Sequence, residues 1–103
     1  MDKKIIASCP LEETLRLVVG KWKTIILWHL HSGTKRYGEI KRFLPHSSEK
    51  MLIQALKALE KDKLVIRKAY PVIPPKVEYS LTPKGKSLTK ILCSLDTWGK
   101  KNL

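Results

Sequence analysis

Cysteine is scarce in this chain. Only Cys9 and Cys93 occur. They form no Cys-x-x-Cys, and no Cys/His cluster has metal-ligand spacing, which argues against a structural zinc site. Long apolar runs are also missing: none approaches the roughly 18–20 residues of a membrane helix. Met1–Ser8 carries two lysines but no extended apolar stretch, so it reads as a poor signal peptide. These absences set the expectation of a cytoplasmic protein with reduced thiols and no membrane partner. Acids are few, nine Asp and Glu against 21 Lys and Arg. They are scattered, with no paired carboxylates, no nucleophile motif and no Gly-rich phosphate loop. The chain therefore reads as a non-enzyme without cofactor or metal.

What is present in excess is positive charge. The 103 residues carry a formal +12, with a pI near 9.9. A length of this order fits one domain, 1–103. A basic excess this large favours a polyanionic partner, nucleic acid first and an anionic membrane surface second. Seventeen of the 21 cations are lysine, which suits point contacts to phosphates more than bidentate reading of bases.

Apolar periodicity divides the chain. Pro10 to Val19 reads as a helix, with Glu12 and Glu13 at its positive end and Gly20 after it. Lys21 to about His31 is apolar around most of its circumference and reads as a central helix, with Trp22 and Trp28 in the core. A short helix fits Tyr37 to Leu44, with Ile40, Phe43 and Leu44 on one face, and Pro45 stops it. Ser48 is a good N-cap for a helix running to Lys61, whose Leu52, Ala55, Leu56 and Leu59 make a core-facing stripe. The period then changes. Leu64–Tyr70 and Lys76–Leu81 read as paired strands, joined by a stiff tip holding Pro71, Pro74 and Pro75. Thr82-Pro83 opens a last helix reaching about Lys101.

This order of a short helix, a tight turn, a basic amphipathic helix and a basic hairpin is that of a winged helix-turn-helix. The expected fold class is mainly α (α+β), with a two-stranded wing and extra N- and C-terminal helices. Between Lys21 and Lys76, thirteen cations face four acids, leaving +9 of the total +12. Roles follow from chemistry. Ser47, Ser48 and Lys50 lie at a helix N-terminus, which offers free N–H groups to a phosphate. Gln54 can pair with adenine, Lys57 can reach guanine or a phosphate, and Ile53 can pack on a thymine methyl. Arg36, Arg67, Lys68 and Lys76 are candidate backbone or minor-groove contacts. His29 and His31 stand two apart on a helix and cannot share a metal. His46 lies in the turn, placed to contact DNA or nothing.

The chain resembles the HxlR-type winged-helix regulators of bacteria. The matching pieces are Cys9-Pro10, Gly20-Lys21-Trp22 and Arg36-Tyr37-Gly38-Glu39-Ile40. They continue with Leu52, Leu56, Leu59-Glu60-Lys61-Asp62, the block Pro74 to Gly85, and Trp98-Gly99. The resemblance implies a homodimer whose first and last helices pack across a two-fold axis. Leu11, Leu15, Leu88, Ile91, Leu92, Leu95 and Trp98 are the residues placed to form it. Such a dimer would bind a pseudo-palindromic double-stranded operator. Two departures stand out: Ser47 where the family commonly has isoleucine, and Lys63 where it commonly has glycine.

The resemblance also implies a role for Cys9, since several family members use the cysteine before the first helix to sense oxidants or electrophiles. A helix start can lower a thiol pKa, but Glu12 and Glu13 oppose this, and an inert thiol at the dimer interface is the alternative. Cys93 reads as a core or interface filler. An oxidant or a small molecule is the candidate effector. The competing functions are a non-specific architectural nucleic-acid-binding protein and a protein-interaction module.

Overall fold

Five helices and a small antiparallel sheet make up the computed structural model, which describes residues 9–18 and 20–103, less the Lys21 side chain. Met1–Ser8, the poor signal peptide, and Val19, the expected end of the first helix, lie outside the described residues. In chain order the elements are α1 (Pro10–Val18), α2 (Lys21–Leu30), β1 (Lys35–Arg36), α3 (Tyr37–Phe43), α4 (Glu49–Lys61), β2 (Val65–Tyr70), β3 (Lys76–Leu81) and α5 (Pro83–Asn102).

The core forms where α2, α3 and α4 turn their apolar stripes together. Ile26 and Leu27 of α2, Ile40 of α3, Leu52, Leu56 and Leu59 of α4, and Leu64 just beyond are its largest fully buried side chains. Each contributes about 1.5–3 kcal/mol by leaving water. That packing fixes how α4 sits against the rest. Trp22 and Trp28 pack at the edge of the core and are only partly buried. Phe43 stays exposed, unlike its neighbours Ile40 and Leu44, and its ring stacks on His29 at 4.0 Å.

The hairpin pairs Val65 with Leu81 through to Tyr70 with Lys76, leaving the proline-rich tip unpaired. Within that tip the Ile73–Pro74 peptide is cis. The expected two-stranded wing gains a third strand. β1 pairs with β3 at Lys35–Tyr79 and Arg36–Glu78, giving the order β1-β3-β2. Two charged residues carry no alternation to read, so β1 is defined by its partner alone.

Where α4 hands over to β2, Lys63 takes a φ of 59°. This is the left-handed position that glycine fills without strain. The turn is then tied to the start of α5. The Thr82 hydroxyl donates to the Lys63 carbonyl at 2.6 Å and accepts from the Gly85 N–H at 2.9 Å, capping α5. Gly85 weakens a helix in principle, but here it is a requirement: a Cβ on it would sit 2.1 Å from the Leu64 carbonyl oxygen. Leu88 and Leu92, expected at a dimer interface, are instead 7% and 6% exposed and complete the core from α5. Leu11, Leu15, Ile91, Leu95 and Trp98 remain exposed.

Candidate nucleic-acid interface

The turn between α3 and α4 sets how α4 leaves the core. Ser47, expected to face DNA, is buried at 4% exposure. Its hydroxyl donates to the Leu44 carbonyl at 2.7 Å, and its N–H reaches the same oxygen at 3.0 Å. The Lys41 ammonium donates to the Ser47 carbonyl. Ser47 is therefore a fastener of the turn, which explains how a polar residue stands where the family commonly places isoleucine: its polar groups are satisfied locally. The next residue, Ser48, caps α4, its hydroxyl accepting from the Met51 N–H at 3.1 Å. His46 is exposed beside it.

α4 then divides cleanly. Leu52, Ala55, Leu56 and Leu59 are buried, whereas Lys50, Ile53, Gln54, Lys57 and Lys61 are exposed. Those exposed positions follow one another at helical spacing and make a continuous polar and cationic stripe. A 13-residue helix is about 20 Å long, enough to cross a major groove about 12 Å wide.

The wing brings its cations together around one carboxylate. Glu78 on the central strand stands opposite Arg36 of β1 and Lys68 of β2. Its carboxylate also accepts an ion-pair contact from Lys76 at 3.3 Å. Partial desolvation pushes its pKa up, but the Tyr70 hydroxyl, Lys76 and Arg36 outweigh this and hold it below its ordinary value. Lys68 and Lys76 lie over the Tyr70 ring, 5.0 and 4.6 Å from its centroid. Lys76 is thus largely committed to bracing the wing, while Arg67 and Lys68 stay exposed. Arg36 and Lys76 line a shared cleft with Tyr37 and Pro75, joining the start of α3 to the wing. The Arg36 N–H donates to Glu39 at 2.9 Å and helps cap α3. Sequence reasoning missed Tyr70. Its signal was an aromatic at the last strand position before the prolines, flanked by cations in register.

Away from this face, Cys9 is exposed at the start of α1, its sulfur 3.8 Å from a Glu12 carboxylate oxygen. Cys93 is half-buried on α5.

The HxlR-like helix-turn-helix family matches residues 17–103. The chain belongs to that family. Relatives are found both by sequence and by superposition of structures. YkvN of Bacillus subtilis, an uncharacterized HTH-type transcriptional regulator, is 50% identical over 92 residues, spanning 89% of this chain and 78% of its own. The redox regulator HypR in its oxidized form superimposes with a TM-score of 0.85 at 43% identity, over 92% of this chain and 98% of that one. Reduced YodB of B. subtilis, a transcriptional regulator, gives 0.79 at 35% identity, over 92% and 94%. As an HxlR-like protein this chain is a transcriptional regulator of the helix-turn-helix type and not an enzyme. Among the described residues no helix is long and apolar enough to cross a membrane.

Proposed function

We propose that the protein is a sequence-specific DNA-binding regulator that acts as a homodimer. In this reading α4 enters the major groove of an operator and the wing rests on the backbone. The observation that carries it is the division of α4: one face closes the core, and the other presents Lys50, Ile53, Gln54, Lys57 and Lys61 to solvent. Gln54 and Ile53 read bases, Lys50 and Lys57 contact phosphate or guanine, and Ser48 presents the helix N-terminus. Arg36, Arg67 and Lys68 contact the backbone. Dimerisation would use Leu11 and Leu15 of α1 with Ile91, Leu95 and Trp98 of α5, all exposed in the single chain. An open apolar groove between α2 and α5, lined by Ile25, Trp28, Leu95 and Leu103, continues that surface.

The test is binding to the DNA upstream of its own gene against a scrambled duplex, titrated with salt. The regulator reading expects strong preference for the former. Equal affinity with a steep salt slope favours the architectural alternative, in which charge alone drives binding.

A second reading concerns the signal. Cys9 is exposed, occupies the position before α1, and a structural neighbour is named a redox regulator. On that basis an oxidant acting at Cys9 controls DNA binding. Oxidant treatment should change operator affinity in the wild type and leave Cys9→Ser unaffected. An equal response in both would remove Cys9 from the mechanism.

A further inference from the structure

At the root of the hairpin, where β3 ends beside α5, lies an open cleft of about 610 Å³ that the DNA-binding reading does not use. It is within the size range of small-molecule sites. Three parts of the fold line it: the loop His31–Thr34 after α2, the β3 residues Ser80 and Leu81, and the α5 residues Lys86, Thr89, Lys90 and Cys93. Its floor is apolar, from Leu30 and Leu81, both buried, and half-buried Cys93. Its rim is cationic, and no carboxylate lines it. Lys86 and Lys90 stand one turn apart on the same face of α5, and neither joins an ion pair among the described residues. Like charges at that spacing repel one another along a helix. An anion held between them would relieve that repulsion. The hydroxyls of Thr34 and Ser80 supply further donors on the opposite wall.

We propose that this cleft binds a small organic anion, with its carboxylate or phosphate at Lys86 and Lys90 and a compact apolar body on Leu30, Leu81 and Cys93. The ligand would join α5 to the root of the wing. Because β1 follows Thr34 directly and leads into α3, occupancy would shift the helix-turn-helix relative to α5. This regulatory consequence rests on the dimeric DNA-binding reading, but the binding itself does not.

The experiment uses DNA-free Cys9→Ser protein, so that Cys93 is the only thiol. Alkylation of Cys93 and the backbone amide shifts of Thr34, Ser80 and Thr89 are followed against benzoate, phenyl phosphate and inorganic phosphate. At least one aromatic anion should slow alkylation and move the three amides saturably, and inorganic phosphate, lacking a body, should bind more weakly. The stronger of benzoate and phenyl phosphate identifies the headgroup. Lys86→Gln/Lys90→Gln should weaken binding by roughly tenfold or more, since both charge-assisted contacts to the anion are lost. Lys23→Gln/Lys101→Gln, with the same loss of charge elsewhere, should leave it unchanged. Equal weakening in both double variants, or no saturable shift with either aromatic anion, overturns the site. Operator affinity, measured separately with and without the anion, tests the coupling. An unchanged affinity overturns the coupling alone, while absence of specific DNA binding in the unliganded protein overturns the regulator reading and leaves the site standing.

Discussion

Lys63 pays a backbone penalty, and the surrounding residues show why the chain tolerates it. Its carbonyl accepts the Thr82 hydroxyl, and its neighbour Leu64 is fully buried, so the turn is held from both sides. A left-handed φ costs an L-residue about 1–2 kcal/mol, and glycine gives back about 0.5–1 in lost unfolded-state freedom. Lys63→Gly is therefore expected to stabilise the protein by up to about 1 kcal/mol, raising the thermal midpoint by a few degrees. Gly85→Ala should do the opposite. Its methyl meets the Leu64 carbonyl rather than a movable side chain, and overpacking of this kind costs about 1–3 kcal/mol. Thermal or urea unfolding checks both. The strain at Lys63 was legible in the sequence because a lysine stood where glycine is common. The clash at Gly85 was not, because it depends on a contact between residues 64 and 85 that no local pattern reports. Ser47 was misread for a similar reason. A serine before an N-cap looks like a surface residue until the turn folds its hydroxyl onto Leu44.

At the scale of elements, the proposed function gives α4 and the wing different parts in binding. Gln54→Ala should cost about 1–3 kcal/mol at one base position and relax specificity there. Arg67→Ala or Lys68→Ala should weaken binding to every sequence and reduce the salt slope by about one each. Competition binding at several salt concentrations separates the two behaviours. Glu78 governs the wing's own cohesion. Its pKa is depressed in the folded state, so its contribution is present above the ordinary carboxylate value, about 4.3, and is lost as pH falls through the lower folded value. Tyr70 ring resonances, which report the packing of Lys68 and Lys76, should change over that acidic window in the wild type and not in Glu78→Gln. All five helices and both wing strands were legible, most from an apolar stripe or alternation, α2 from its apolar circumference, and several from an N-cap, proline or glycine at an end. β1 was not, since pairing with β3 rather than its own two residues makes it a strand. The exposed stripe of α4 was readable from the complementary apolar positions, whereas the commitment of Lys76 to Glu78 and Tyr70 needed the register of the hairpin.

The described chain is extended for its length. Its radius of gyration is 15.4 Å, with principal extents of 55 × 36 × 27 Å, against about 13 Å expected for a compact domain of this size. α1 buries none of its nine residues, and an isolated helix shorter than about 12–15 residues is marginal in water. α5 extends about 30 Å and leaves Ile91, Leu95 and Trp98 exposed. The proposed second copy, covering these faces, would account for all three features. Leu88 and Leu92 share the α5 stripe with the proposed dimer residues, and only the fold shows that they face inward. Leu15→Asp/Leu95→Asp should yield folded monomers by sedimentation, with operator affinity lowered by about 10²–10⁴-fold as the second half-site is lost.

Whether the α4 face reads sequence decides between specific and charge-driven binding. Selection of bound duplexes from a random pool at physiological salt, followed by titration of the selected site with wild type and Gln54→Ala, measures this directly. The expected result is a two-fold symmetric site with half-sites about 34–36 Å apart, bound at least about 10³-fold more tightly than bulk DNA. Gln54→Ala should lose discrimination at one position in each half. Recovery of no common sequence, with affinity set by salt alone and unchanged in Gln54→Ala, would contradict specific binding.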